Sequence, residues 1–219
     1  MTEQIIIAAG TTREMLIVNA VDIRLHIQQQ AGSTLRLYLF CLDDDNNNAT
    51  ITVEQRNSGC NTEIYGLAVT RGAQHANWLT QVKHISGGGK SRQLFKYILA
   101  DQSQCSFKGE LYIAPDAQHT DAQQTNRNLL LSADARMQTQ PQLEIYADDV
   151  KASHGASTGQ IDPTALFYMQ QRCLDNKQAR LLLIQAFAAD IAENITDEKQ
   201  RETVLQALAE RLQQIADSI

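Results

Sequence analysis

Val21-Asp22-Ile23-Arg24-Leu25-His26-Ile27-Gln28 alternates apolar and polar residues without a break. A period of two puts Val21, Ile23, Leu25 and Ile27 on one face of an extended chain and the polar residues on the other, which is the pattern of a half-buried strand. Similar runs recur on the C-terminal side at Leu35 to Leu39, Ala49 to Gln55, Ile64 to Val69, Trp78 to Ile85, Leu94 to Leu99, Leu111 to Ala114 and Leu143 to Tyr146. Gly, Asn and Asp punctuate them at Ala31-Gly32-Ser33, Asp43 to Asn48 and Asn57-Ser58-Gly59, as turns require. The spacing predicts an all-β region from residue 5 to about 150, with Ile23, Leu25, Ile27, Val53 and Ile145 in its interior. A sandwich, a barrel and a parallel β-helix share that spacing, and no strict hexapeptide or nonapeptide repeat decides among them. Aromatic residues make up only 5% of the chain, which disfavours an immunoglobulin-like core. The abundant Asn, Gln and Thr suit the stacked polar ladders of an irregular β-helix.

The period changes over the last sixty residues. Asp162-Pro163 reads as an N-cap with proline at the first helical position, opening a short helix to about Arg172. Asp175 caps a second helix, with Ala179, Leu182, Leu183, Ala186, Phe187 and Ile191 as its apolar face. Thr196 and Asp197 start a third, with Val204, Leu208, Leu212 and Ile215 as its stripe. The expected division is a β-domain over 1–158 and a helical domain over 159–219.

The 219 residues are 43% hydrophobic and 20% charged, which excludes a disordered chain. The net charge of -6 gives no general attraction to phosphate, and no local basic cluster supplies one, so neither nucleic acid nor an anionic membrane is expected as a partner. Ile5-Ile6-Ile7-Ala8-Ala9 is too short for a signal peptide or a span, and the expected location is the cytoplasm. The sequons Asn48-Ala49-Thr50 and Asn194-Ile195-Thr196 then read as chance matches. Cys41, Cys60, Cys105 and Cys173 lie far apart with no zinc-type spacing, the pattern of reduced thiols.

Several motifs fail on inspection. Gly87-Gly88-Gly89-Lys90-Ser91 would be a phosphate loop only with glycine at position 84, where His84 stands. Asp43-Asp44-Asp45 lacks the spacing of a calcium loop and reads as a solvated turn. No GxSxG elbow is present. A carbohydrate-cleaving β-helix would need clustered carboxylates on one strand face, and in a strand the adjacent Asp148 and Asp149 would point to opposite faces. His154 differs, because the small residues of Lys151-Ala152-Ser153-His154-Gly155-Ala156-Ser157-Thr158-Gly159-Gln160 leave its imidazole accessible for metal or proton chemistry.

Asn126-Arg127-Asn128-Leu129-Leu130-Leu131, Pro141-Gln142-Leu143-Glu144-Ile145-Tyr146-Ala147-Asp148-Asp149-Val150-Lys151, Ser153-His154-Gly155-Ala156, Gly159-Gln160-Ile161-Asp162 and Ala165-Leu166-Phe167-Tyr168 strongly resemble the SufD branch of the SufB/SufD family of iron-sulfur cluster assembly scaffolds. Ser91-Arg92-Gln93-Leu94-Phe95-Lys96 and Thr120-Asp121-Ala122-Gln123-Gln124-Thr125 continue the match. The resemblance implies a right-handed parallel β-helix followed by C-terminal helices, and a scaffold rather than an enzyme. It implies pairing with a SufB-like chain, carriage of a SufC-like ATPase on the C-terminal helices, and no cofactor held stably by the isolated chain. A transient iron-sulfur cluster would be shared in the complex, with His154 matching the family's cluster-facing histidine. Tyr168 and Met169 are the candidates for ATPase docking. A β-helix end invites pairing, so strands near 110–150 are expected to dimerise when SufB is absent.

Three departures stand out. Ala152 replaces a cysteine common before Ser-His-Gly, Arg172-Cys173 replaces Arg-Gly, and the chain has about half the family's usual length without its N-terminal helical region. The first and last support the alternative of a docking subunit that never touches a cluster.

Overall fold

The computed structural model describes residues 2–216. The strands are β1 (Glu3–Ile7), β2 (Thr12–Val18), β3 (Asp22–Gln29), β4 (Thr34–Cys41), β5 (Asn47–Gln55), β6 (Asn61–Thr70), β7 (His75–His84), β8 (Lys90–Leu99), β9 (Gln104–Ile113), β10 (Asp121–Leu130), β11 (Arg136–Ile145) and β12 (Lys151–Gly159). They are followed by α1 (Pro163–Gln170), α2 (Asn176–Glu193) and α3 (Glu198–Ala216). Odd strands form one six-stranded sheet and even strands another, and every pairing within them is parallel. The chain therefore winds as a parallel β-solenoid, each turn adding one strand to both sheets, and the sandwich and barrel are excluded.

Register stacks inward side chains into columns. Ile23, Ala49, Trp78 and Phe107 form one such column, and Trp78, Phe95, Tyr97 and Phe107 meet across the interior with ring centroids 4.5–6.4 Å apart. Burying each such ring contributes about 2–3 kcal/mol. Gly66 makes room for them, because a Cβ there would lie 2.4 Å from Phe95 Cδ1 and 2.8 Å from Trp78 Cζ3. The expected polar ladders are also present: Asn77 Nδ2 donates to Asn48 Oδ1 at 3.2 Å and Ser106 Oγ to Asn77 Oδ1 at 2.7 Å.

Ile23, Leu25, Ile27 and Val53 are buried as expected, whereas Ile145 is 41% exposed. Ile145 stands in register with the buried Ile113, so its face is the inner one; as part of the last turn it has no further layer above it. Strands β1, β2, β10 and β12 lie outside the alternating runs of the sequence. The inward residues of β10 are Ala122, Gln124, Asn126 and Asn128, buried despite three being polar, so burial alternates from Asp121 to Asn128 where hydrophobicity does not.

The glycine run forms the β7–β8 connection. A Cβ on Gly87 would meet Gln118 O at 2.7 Å, and one on Gly89 would meet Gln55 Oε1 at 2.2 Å and His84 Nδ1 at 2.8 Å. These glycines allow neighbouring turns to pack closely. Asp148 and Asp149 sit in the β11–β12 connection and not in a strand, with Asp149 Oδ2 2.8 Å from His119 Nδ1.

The helices are placed by their caps. Asp162 accepts from Thr164 N, Asp175 forms a reciprocal box with Gln178, and Asp197 accepts from Gln200 N. Helices α2 and α3 cover the outer face of the even-numbered sheet, sharing a second core with Tyr38, Leu67 and Ile98. The α3 stripe of Val204, Leu208, Leu212 and Ile215 is buried as expected. On α2 the expectation needs correction: Leu182 and Ala186 are exposed, Leu183 and Phe187 are half-buried, and Ala179, Ile184, Ala188, Ile191 and Ala192 are buried. Apolar residues occur all round this helix, so the sheet and α3 selected which face to cover.

Two buried cations fix the helical layer. Lys96 Nζ, on β8, lies 2.7 Å from Asp190 Oδ1 and from Phe187 O on α2. Arg211, on α3, reaches Asp44 in the Asp43–Asp45 turn, so this turn is an anchor and not simply a solvated bend. Arg71 and Arg211 together hold the Asp44 carboxyl well below the usual carboxylate range.

Candidate functional site at the open end of the solenoid

The two ends of the solenoid differ. In the first turn, Ile5 and Ile7 are only 5% and 2% exposed. In the last turn the inward residues of β11 are half-buried or exposed, and all of β12 is exposed except the half-buried Ala152. Strands β11 and β12 end their sheets, so no further turn covers them. The inward positions of β12, in register with the buried Ala122, Gln124, Asn126 and Asn128, are Ala152, His154, Ala156 and Thr158.

His154 therefore faces the mouth of the solenoid, in register with Gln124 and above Gln93. It is exposed, and among the described residues its ring makes no hydrogen bond or ion pair. Ala152 and Ala156 flank it on the same face and leave space around the ring. No group of three or more His, Cys, Asp or Glu able to hold a metal occurs among the described residues, so a metal or cluster resting on His154 would need ligands from a second chain. The thiols of this chain do not supply them at the mouth. Cys41, Cys60 and Cys105 are buried in the solenoid, and burial pushes Cys41 up to about 12 and Cys105 up to about 11, which keeps both protonated. Cys173 is exposed beyond α1, with a left-handed backbone at φ 65°.

The mouth also presents two free strand edges. Arg136 N and Tyr146 N donate back to β9 and its flank at Ser103 O and Ile113 O, while Lys151 N donates to Thr120 O. Alternation in a parallel ladder then turns the odd-numbered N–H groups of β11 and the even-numbered ones of β12 to the open edge. On β11 that row is broken by Pro141, which has no N–H. On β12 the row Ala152, His154, Ala156 and Thr158 is continuous.

A second exposed feature is α1, which has no buried residue. Tyr168 is 54% exposed and Met169 half-buried. Phe167, not singled out from the sequence, is 62% exposed; Ala165, Leu166 and Met169 share the inner side at helical spacing, and this is the signal that leaves Phe167 and Tyr168 outside. The Arg172 guanidinium sits 4.5 Å over the Tyr168 ring and bonds its hydroxyl. Among the described residues no hydrogen bond or ion pair joins α1 to His154.

The family model described as SUF system FeS cluster assembly, SufBD core domain, matches residues 17–187. The iron-sulfur cluster assembly protein SufD of Escherichia coli (strain K12) is 44% identical over 133 residues, covering 61% of this chain and 31% of the relative. A SufBD family protein of Synechocystis is 38% identical over 145 residues (66% and 32%), and SufD of Bacillus subtilis is 32% identical over 143 residues (61% and 33%). The matched stretch spans about a third of each relative's length.

Proposed function

This chain belongs to the SufBD family of iron-sulfur cluster assembly proteins, and from that premise we propose that it is a non-catalytic scaffold subunit, pairing with a SufB-like chain and carrying a SufC-like ATPase. The observation that carries the reading is the difference in burial between the end turns: the first keeps Ile5 and Ile7 buried and Met15 and Ile17 half-buried, whereas the last leaves Ile145 exposed, with His154 on that end. An end with uncovered apolar side chains and unpaired strand edges is completed by another chain.

Pairing at the mouth puts His154 where ligands from both chains can meet. A neutral imidazole binds iron without adding the negative charge of a further thiolate. The nascent cluster is cargo in this reading, held between the chains and passed on. The ATPase docks on the surface around Phe167, Tyr168 and Met169, which the fold itself leaves uncovered. No described helix is long and apolar enough to cross a membrane, and the reading places the scaffold in the cytoplasm.

Co-expression with the SufB-like and SufC-like proteins of the same host tests it. Recovery of a ternary complex with bound iron and sulfide is expected, with His154→Ala retaining the partners and losing cluster. Normal iron and sulfide in that variant reduces the chain to a docking subunit, the reading that Ala152 in place of cysteine favours. Failure to recover a SufB-like partner overturns the proposal.

A further inference from the structure

We infer that Asn128 is a positioning residue for the terminal turn: its carboxamide ties β11 to β12 across the mouth and so fixes the strand that carries His154, an inference whose functional meaning rests on the mouth being the partner-facing site. Strand β12 has no large apolar side chain, and only Ala152 is even half-buried. Beyond its backbone ladder to β10, its side chains make one hydrogen bond among the described residues, Thr158 Oγ1 accepting from Asn128 Nδ2 at 3.0 Å. The opposite strand is held by the same amides, since Asn128 Nδ2 lies 3.2 Å from Thr139 Oγ1 and the Thr139 hydroxyl donates to Asn126 Oδ1 at 2.9 Å.

The orientation of the network follows from its inner end. Asn126 Nδ2 donates to Phe95 O at 3.4 Å, which turns Asn126 Oδ1 toward the mouth, where it accepts from Asn128 Nδ2 at 2.8 Å. A flipped Asn128 amide would set two carbonyl oxygens against each other, so the two N–H groups of Asn128 stay directed at Asn126 and Thr158, the longer approach to Thr139 sharing one of them. Below Asn128 the same column holds Tyr97, Ala68 and Cys41. A polar residue thus enters a largely apolar column only at the turn beneath the mouth. It is 4% exposed, and its Oδ1 has no partner. An asparagine serving stability alone would have that acceptor satisfied or be replaced by an apolar residue; here the donors supply the side-chain hydrogen bond that holds β12, beyond the packing that Met137, Leu143 and Ala152 share.

Hydrogen exchange on the isolated chain tests this without reference to a cluster. The amides to follow are Ser153, Gly155 and Ser157 on β12 and Gln138, Gln140 and Gln142 on β11, which face their inner neighbours. Asn128→Ala is expected to speed exchange on both strands by about fivefold to tenfold, the worth of one or two hydrogen bonds, while β4, β6 and β8 stay protected. Thr158→Val is expected to loosen β12 alone and Thr139→Val β11 alone. The His154 ring resonances should broaden or shift in Asn128→Ala and Thr158→Val but not in Thr139→Val. Uniform acceleration over all strands, or unchanged β12 exchange in both Asn128→Ala and Thr158→Val, overturns the inference. Should Asn128→Ala fail to fold, Thr158→Val at the exposed rim decides alone. A loosened β12 together with normal cluster yield from His154→Ala would leave the positioning role standing and remove the cluster reading.

Discussion

Arg211 Nη1 on α3 lies 2.6 Å from Asp44 Oδ1 in the turn between β4 and β5. The same guanidinium donates to Val69 O at 2.9 Å and Gln74 Oε1 at 2.9 Å, with the arginine only 2% exposed. The last helix is thereby pinned to a corner of the solenoid. Arg211→Ala removes the side-chain donor to Val69 O and empties a buried site, while Asp44 keeps Arg71 and faces solvent, so the expected cost is about 1–3 kcal/mol. Urea unfolding of the variant measures it, and a loss under about 1 kcal/mol would show that the pin contributes little.

Acid sensitivity is expected from His84. It is fully buried with Nε2 2.9 Å from Ser91 Oγ and Nδ1 unpaired, and burial pushes it down to about 4 from 6.5. Between those values the unfolded chain binds the proton and the folded chain does not. The contribution is complete above about pH 6.5 and is lost as the pH falls toward 4, by up to about 3 kcal/mol. In His84→Gln the stability curve over this window should flatten; an unchanged slope would rule out His84 as its source.

Two glycine substitutions separate crowding from backbone strain. Gly66→Ala drives a Cβ into Phe95 and Trp78, at an expected cost of about 2–4 kcal/mol. Gly72→Ala meets nothing within 4 Å but retains φ +59°, which costs about 1 kcal/mol. Thermal unfolding of the pair checks the order, and the reverse order would contradict the interior packing around Gly66.

The free edges should respond unequally. Ala156 turns its N–H to the open edge of β12, so Ala156→Pro removes a donor that a partner strand would use while leaving the ladder to β10 intact. We expect binding of the SufB-like chain, or self-association in its absence, to weaken about tenfold or more. Pro141→Ala restores a donor on β11 and should not weaken it. Sedimentation of both variants at matched concentration is the measurement, and equal behaviour would place the contact elsewhere.

For the α1 surface, Phe167→Ala with Tyr168→Ala and Met169→Ala is expected to weaken ATPase binding by at least tenfold, because exposed aromatic anchors dominate such contacts. Melting should change little, as Phe167 and Tyr168 are exposed and Met169 is only half-buried. A titration in which the triple variant binds as the parent does would remove this patch from the proposal.

Strands such as β3 and β5 were legible because alternation is a local property: Ile23, Leu25 and Ile27 declare their inner face before any partner strand is known. The caps at Asp162, Asp175 and Asp197 were legible for the same reason, each satisfying N–H groups within three residues of itself. His154 could be singled out by its small neighbours and by the family resemblance of its surroundings, but not placed on the mouth.

Only the tertiary structure decided which polar residues are inside and which apolar ones are not. Gln124, Asn126 and Asn128 are buried because strands stack above and below them, and Ile145 is exposed because none stacks above it. Burial in a solenoid depends on the number of layers over a position, a quantity set thirty or so residues away along the chain, beyond the reach of local periodicity. The same dependence chose the buried face of α2 and drew Arg211 into the α3 stripe, where Asp44 and Val69 O awaited its charge and donors.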